Sequence, residues 1–210
     1  MSFFETYGDR LMTAIQVHLF YVLISVAIGF VVALILGILL SRIPRYAKII
    51  MPILSIFQTI PGIVFIGILF LYLGMIPATV ITALAVYSIF PVLKNTYTGL
   101  LDVKPEYIEA AKGCGMSPLQ TLFEVELPLA SPSIITGLRM STIYTVSWAV
   151  LAAMIGLGGL GEFIYIGIAS NNDQLILAGA IPSAIMAIIL SLLIDVIRRV
   201  VVPKGLRSVK

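Results

Sequence analysis

Glu109-Ala110-Ala111-Lys112-Gly113-Cys114-Gly115, followed nine residues later by Val125-Glu126-Leu127-Pro128, lies in the one long polar loop of this chain. Everything around it is apolar. Of 210 residues, 60% are hydrophobic and 11% charged, against roughly a quarter charged in a soluble domain. The composition is that of an integral membrane protein, and the length suits a single domain covering residues 1–210.

Working outward from the loop, five apolar spans can be read, at about 16–40, 53–73, 76–93, 133–155 and 175–197. A helix needs about 20 apolar residues to cross the hydrocarbon core. Four spans are comfortable and the third is near the short end. Lipid offers no water to backbone groups, so each span is expected to be helical and the fold all-α. The second and third are joined by little more than Gly74-Met75-Ile76-Pro77, a tight turn. The first span is too long for a signal-peptide core and lacks a basic leader, so it is expected to be retained.

Lysine and arginine set the orientation. Arg42, Arg45 and Lys48 follow the first span. Lys94, Lys104, Lys112 and Arg139 flank the polar loop, and Arg198, Arg199, Lys204, Arg207 and Lys210 follow the fifth. Twelve of the 13 basic residues therefore fall on one side, with Arg10 alone on the other. Positive residues stay in the cytoplasm, so the N-terminus is expected outside and the C-terminus inside. The polar loop between helices 3 and 4, residues 94–131, is then cytoplasmic. The basic tail is read first as an orientation signal, with anionic lipid or a cytoplasmic partner as alternatives. Asp195, with Arg198 and Arg199 three and four residues on, is expected to form a structural ion pair with them at the membrane interface rather than a proton relay.

Within the loop, Pro105 suits a first helical position and Glu106 complements the positive helix start. Gly113 and Gly115 can end the helix. Ser117 with Gln120 has capping-box spacing for a second helix, expected to stop before Pro128. The small faces of Ala110 and Ala111 would allow close packing in a cleft of another protein. An amphipathic helix on the inner leaflet is the blander alternative.

The spacing Glu-Ala-Ala, three residues, Gly, nine residues, Val-x-Leu-Pro resembles the cytoplasmic loop of permease subunits in type I, binding-protein-dependent bacterial ABC importers, whose pattern has Ile in place of Val125. The five-span layout adds to the likeness, which covers about 13–200. Ile56-Phe57-Gln58-Thr59-Ile60-Pro61, Thr96-Tyr97-Thr98-Gly99-Leu100 and Glu126-Leu127-Pro128-Leu129-Ala130 are similar to the osmoprotectant branch, which imports glycine betaine, carnitine or choline. The resemblance implies that Glu109, Ala110, Ala111, Gly115, Leu127 and Pro128 couple the chain to a cytoplasmic ABC ATPase. It also implies a second permease chain, identical or not, an extracytoplasmic solute-binding protein, and a multi-pass place in the bacterial cytoplasmic membrane. A methionine-type importer permease is an alternative within the class.

No nucleotide site is expected in the chain itself. A P-loop needs Gly-Lys before Ser or Thr, and that pair does not occur in the sequence. ATP and magnesium would be bound by the partner, and the chain would be no enzyme. Gly156-Leu157-Gly158-Gly159-Leu160-Gly161 follows the fourth span on the outer side, where no βαβ unit is possible, and is read as a bend. Glu162 and Asp173 nearby either meet the binding protein or are solvated. One cysteine and one histidine offer no disulfide and no metal site, and nothing suggests nucleic acid.

The span interiors are almost free of charge, so a solute path would be lined by neutral polar and aromatic groups. Ser55, Gln58 and Thr59 precede Pro61-Gly62, a pair able to break a membrane helix, while Ser141, Tyr144, Thr145 and Trp148 recur at helical spacing. Gln58, Thr59, Pro61, Tyr144, Thr145 and Trp148 are the pathway candidates. Interhelical hydrogen bonding is the alternative for each. Pro91 is expected to kink the third span, removing one bond and crowding the carbonyl of Tyr87, as a fixed bend rather than a hinge. Function from a different class, an ATP-independent carrier or channel, would call for internal repeats or midplane ionisable residues, and neither is evident.

Overall fold

The computed structural model describes residues 3–206, whose regular elements are all helical, with no strand among them. Helix α1 (Phe3–Arg42) is 40 residues long. At 1.5 Å per residue it reaches about 60 Å, twice the hydrocarbon thickness. It lies along α4 (Pro77–Leu101), the most buried helix of the bundle. The contact face of α1 is Ser25, Gly29, Ala33 and Gly37, all buried and four residues apart. Small residues at this period let two helices approach closely in lipid. Ser25 Oγ donates to Ile81 O (3.2 Å) and Ser88 Oγ to Ser25 O (3.2 Å) across the seam.

The second expected span is a bent pair. Helices α2 (Pro44–Phe57) and α3 (Gly62–Leu73) meet at 87°. Pro61 has no N–H to offer Phe57 O and stands as the cap of α3, so the Pro-Gly pair does break the helix. Four helices in the described residues are long and apolar enough to cross a membrane, or five spans if the bent pair is one.

Helix α4 runs past the expected end at 93 to Leu101, which removes the concern about its length. It passes through Pro91 unbroken. The carbonyl of Tyr87 freed by that proline accepts from Gln58 Nε2 at 3.4 Å, so α2 supplies the lost bond. A short helix α5 (Pro105–Gly113) follows, then α6 (Pro118–Thr121).

The expected stop before Pro128 does not occur. Residues Leu122–Glu126 form a π-turn that leads straight into α7 (Leu127–Ala152), giving one helical run from Pro118 to Ala152. The N–H of Leu127 bonds Leu122 O, five residues back. This wider turn accommodates the pyrrolidine ring, and Pro128 sits in the first turn of α7, where its missing N–H is not needed.

Helix α8 (Leu160–Ala169), too short to span, has no counterpart among the expected spans and packs against α9 (Asp173–Val201). Asp195 on α9 pairs with Arg139 of α7 at 3.2 Å, not with Arg198 or Arg199. Arg139 Nε also donates to Ser191 Oγ (2.7 Å), one turn away. A partner on a packed neighbouring helix, held by a second bond, wins over one on the same helix. The single histidine, His18, is fully buried, with Nε2 at 3.1 Å from Val146 O and Nδ1 accepting from Leu160 N–H. It ties α1 to α7 and α8.

Candidate functional site

The polar loop is built from local rules. Pro105 opens α5 and Glu106 lies in its first turn. The helix ends in a Schellman motif: Met116 N–H bonds Ala111 O (3.1 Å) and Gly115 N–H bonds Lys112 O (2.9 Å). Gly115 takes φ +80°, the left-handed cap position. The chain then turns into a reciprocal capping box. Ser117 N–H donates to Gln120 Oε1 at 2.8 Å and Gln120 N–H to Ser117 Oγ at 3.3 Å.

The motif residues divide into two sets. Glu109, Ala110 and Gly115 are exposed. Ala111 is buried against its own chain, and Leu127 packs with Leu100, Leu122, Ala130 and Ile134. Pro128 is half-buried beside it. Of the two alanines expected to face a partner, Ala110 alone is presented outward. Ala111 is buried where α5 meets α6 and the π-turn.

Glu126, inside the π-turn, anchors the loop to α1. Its carboxylate accepts two bonds from Arg42, at 3.1 and 2.5 Å, and its side chain is 6% exposed against 46% for Arg42. Breaking a fully buried pair costs about 3–5 kcal/mol and an exposed one about 0–1 kcal/mol. The half-open arginine places this fork between those limits. A cavity of about 660 Å³ lies beside it, lined in part by Ile108, Lys112, Leu119 and Thr121.

The pathway candidates also divide. Gln58 and Trp148 meet at Tyr87: Gln58 reaches its carbonyl, and the Trp148 ring lies 4.7 Å from the Tyr87 ring. Tyr144 is 5.9 Å from Trp148, and Pro61 marks the break next to them. Thr59 Oγ1 donates back to Ile56 O (2.7 Å) from an exposed position. Thr145 is fully buried and donates to Ser141 O (2.8 Å), while Ser141 donates to Ser88 O (2.8 Å). The face of α7 expected to be shared is therefore split: Ser141 bonds α4, Thr145 is buried and bonded to its own helix, and Trp148 and Tyr144 form a separate aromatic pair beside Tyr87. Tyr87, Phe57 and Phe65 join the aromatic group and were not among the candidates. The Phe-Gln-x-x-Pro order placed Phe57 one residue from Gln58, which was the available signal.

At the opposite end of α1 from Arg42, Arg10 pairs with Glu162 at 2.8 Å, and Gly156, Gly158 and Gly159 all take positive φ. The glycine run is a bend, as expected. Asn172 caps α9 through bonds to Gln174 and Leu175 N–H, with Asp173 in the first turn.

Known proteins place this architecture. Over all 210 residues the chain is 40% identical to the glycine betaine/carnitine/choline transport system permease protein OpuCB of Bacillus subtilis (strain 168), covering 97% of it. It is 39% identical to the choline transport system permease protein OpuBB of the same strain, again over the full chain and 97% of the relative. It is 35% identical to the carnitine transport permease protein OpuCB of Listeria monocytogenes, covering 96% of that protein. Among solved structures, inward-facing MetNI methionine ABC transporter superposes with a TM-score of 0.83 over 97% of this chain and all of the other, at 23% identity, a likeness of fold. Residues 25–206 match the binding-protein-dependent transport system inner membrane component, and the chain belongs to that family as a permease subunit of a binding-protein-dependent ABC importer.

Proposed function

We propose that this chain forms, with a second permease chain, the membrane pathway of an importer for quaternary-amine osmoprotectants of the glycine betaine, carnitine and choline class. The observation that carries the solute class is full-length identity of 35–40% to permeases named for those solutes. The likeness to the methionine transporter is one of fold, which does not favour a methionine solute. Residues 1–210 act as one transmembrane domain with five spans, the bent α2–α3 pair counting as one. The N-terminus is outside, and the polar loop and C-terminus are in the cytoplasm of a bacterial cell.

In this reading Glu109, Ala110 and Gly115 face an ABC ATPase, which binds ATP and magnesium and does the hydrolysis. Ala111, Leu127 and Pro128 keep that surface in register with α7. ATP favours one of two arrangements of the permease pair, and only its differential binding to the two moves the pathway. A binding protein delivers solute at the outer end, near the Arg10–Glu162 pair.

Two measurements test this. A strain without osmoprotectant uptake, given the chain with its own ATPase and binding protein, should recover uptake of labelled glycine betaine, carnitine or choline. Recovery of none of the three would sink the solute class. Cys114, the single cysteine and an exposed one, should react with a membrane-impermeant maleimide in inside-out vesicles and stay unlabelled in intact cells. Labelling from outside intact cells would reverse the orientation and remove the ATPase contact.

A further inference from the structure

We propose that Trp148 and Tyr144, held in place by Tyr87, form a subsite within the pathway that receives a quaternary ammonium head through the faces of their rings. The inference rests on the osmoprotectant reading above and goes further by assigning a place and residues to solute recognition inside the membrane.

Five aromatic rings from four helices meet where the α2–α3 span breaks. Phe57 and Phe65 are 5.1 Å apart, Phe65 lies 5.4 Å from Tyr87, and Tyr87 lies 4.7 Å from Trp148. Tyr144 completes the row at 5.9 Å from Trp148. Tyr87 is 3% exposed and its hydroxyl donates to Ile60 O (2.7 Å), a carbonyl of the break. Its ring is therefore fixed from both sides and serves as backing. Trp148 is half-buried and Tyr144 is 42% exposed, so these two retain open surface.

Depth argues against a tryptophan anchored at the lipid headgroups. Tyr87 is ten residues into α4, about 15 Å along the helix and half of the hydrocarbon thickness. Trp148, against Tyr87, shares that depth. Internal packing accounts for Phe57, Phe65 and Tyr87, but not for open tyrosine and tryptophan rings near mid-membrane. A permanent cation there cannot shed its charge, and the spans offer almost no carboxylate to pair with it. Aromatic faces attract such a cation without adding a charge to the membrane, and they do so most strongly when water is excluded.

Trp148 is the only tryptophan, so the intrinsic fluorescence of the full chain in lipid vesicles free of other protein reports on this one ring. Titration with choline should change the emission saturably. The uncharged isostere 3,3-dimethylbutan-1-ol, of the same shape, should bind at least about fivefold more weakly. Tyr144→Leu, at an exposed position, should weaken the choline response roughly tenfold, the fold-change matching loss of one desolvated ring. Equal response to both compounds would make the site merely apolar and overturn the proposal. So would no response to choline, or an emission shielded from acrylamide because a second copy of the chain covers the ring.

Uptake by the complete transporter separates this inference from the reading beneath it. If the wild type takes up no quaternary amine, the solute class falls. If the wild type transports choline, and Tyr144→Leu and Trp148→Leu do so with unchanged KM, only the subsite falls. Trp148→Phe, which keeps a ring, should give a KM between wild type and Trp148→Leu.

Discussion

Replacing Gly29 by leucine is expected to prevent the chain from accumulating as a folded protein. A Cβ on Gly29 would collide with Ser88 Oγ and stand 2.9 Å from the carbonyl oxygen of Ala85. The second obstacle is backbone in the middle of α4, so a rotamer change cannot clear it. The helices would have to separate, breaking the seam hydrogen bonds of Ser25 and Ser88. Adding methylenes to a packed core costs about 1–3 kcal/mol even where side chains can adjust. With backbone in the way, the loss here should exceed about 3 kcal/mol, a large share of a net stability of about 5–15 kcal/mol.

Two graded variants sharpen the test. Gly29→Ala should lower the thermal midpoint without abolishing folding, and Ser88→Ala should partly restore it by removing the side-chain obstacle. Ile28→Leu, at the exposed neighbour, should leave the midpoint unchanged. The measurement is monodisperse yield in mild detergent together with the unfolding midpoint. Wild-type yield and midpoint for Gly29→Leu would mean that the α1–α4 seam is not as close as described.

The same seam illustrates how far sequence reasoning carries. The four-residue period of Ser25, Gly29, Ala33 and Gly37 is legible in the sequence, but it lies within a span so uniformly apolar that no polar face marks it. Features fixed by a few neighbouring residues came through: the Ser117–Gln120 box, the Gly115 corner, and the break at Pro61-Gly62. What failed needed a partner distant in sequence. Asp195 had two arginines in reach on its own helix, yet Arg139 on α7 holds it. Ala111 was expected to face a partner and Thr145 to line a pathway, and both are buried within this chain, because pattern alone does not say which side of a helix meets its neighbours. Pro128 looked like a helix stop because proline excludes the preceding residue from α geometry. The π-turn escapes that rule by shifting the register one residue earlier, and no spacing in the sequence announces it. Helix α8 was invisible for a simpler reason: a ten-residue apolar helix carrying Glu162 is too short to span, so hydropathy classed it with the outer loop.

Gly115→Val is expected to abolish uptake while leaving a folded, membrane-inserted protein. At φ +80° a residue with a side chain pays about 1–2 kcal/mol, and a β-branched one more. No atom lies within 4 Å of where its Cβ would sit, so the strain is purely in the backbone. It is relieved by giving up the Schellman bonds to Ala111 and Lys112, which re-aims the end of α5 and the surface carrying Glu109 and Ala110. The bundle core does not touch Gly115, so the unfolding midpoint should hardly move. Gly113→Ala is the control two residues away. Gly113 has no positive φ and nothing within 4 Å, so alanine should be accommodated at this last helical position and preserve uptake. Glu109→Lys, at an exposed position, should likewise spare the fold and, on the proposed docking of this surface against an ATPase, stop uptake by reversing its charge. In reconstituted transporter, both Gly115→Val and Glu109→Lys should lose stimulation of ATP hydrolysis by loaded binding protein. Full uptake by Gly115→Val would show that the orientation of α5 does not transmit the stroke, and the exposed half of the motif would need another explanation.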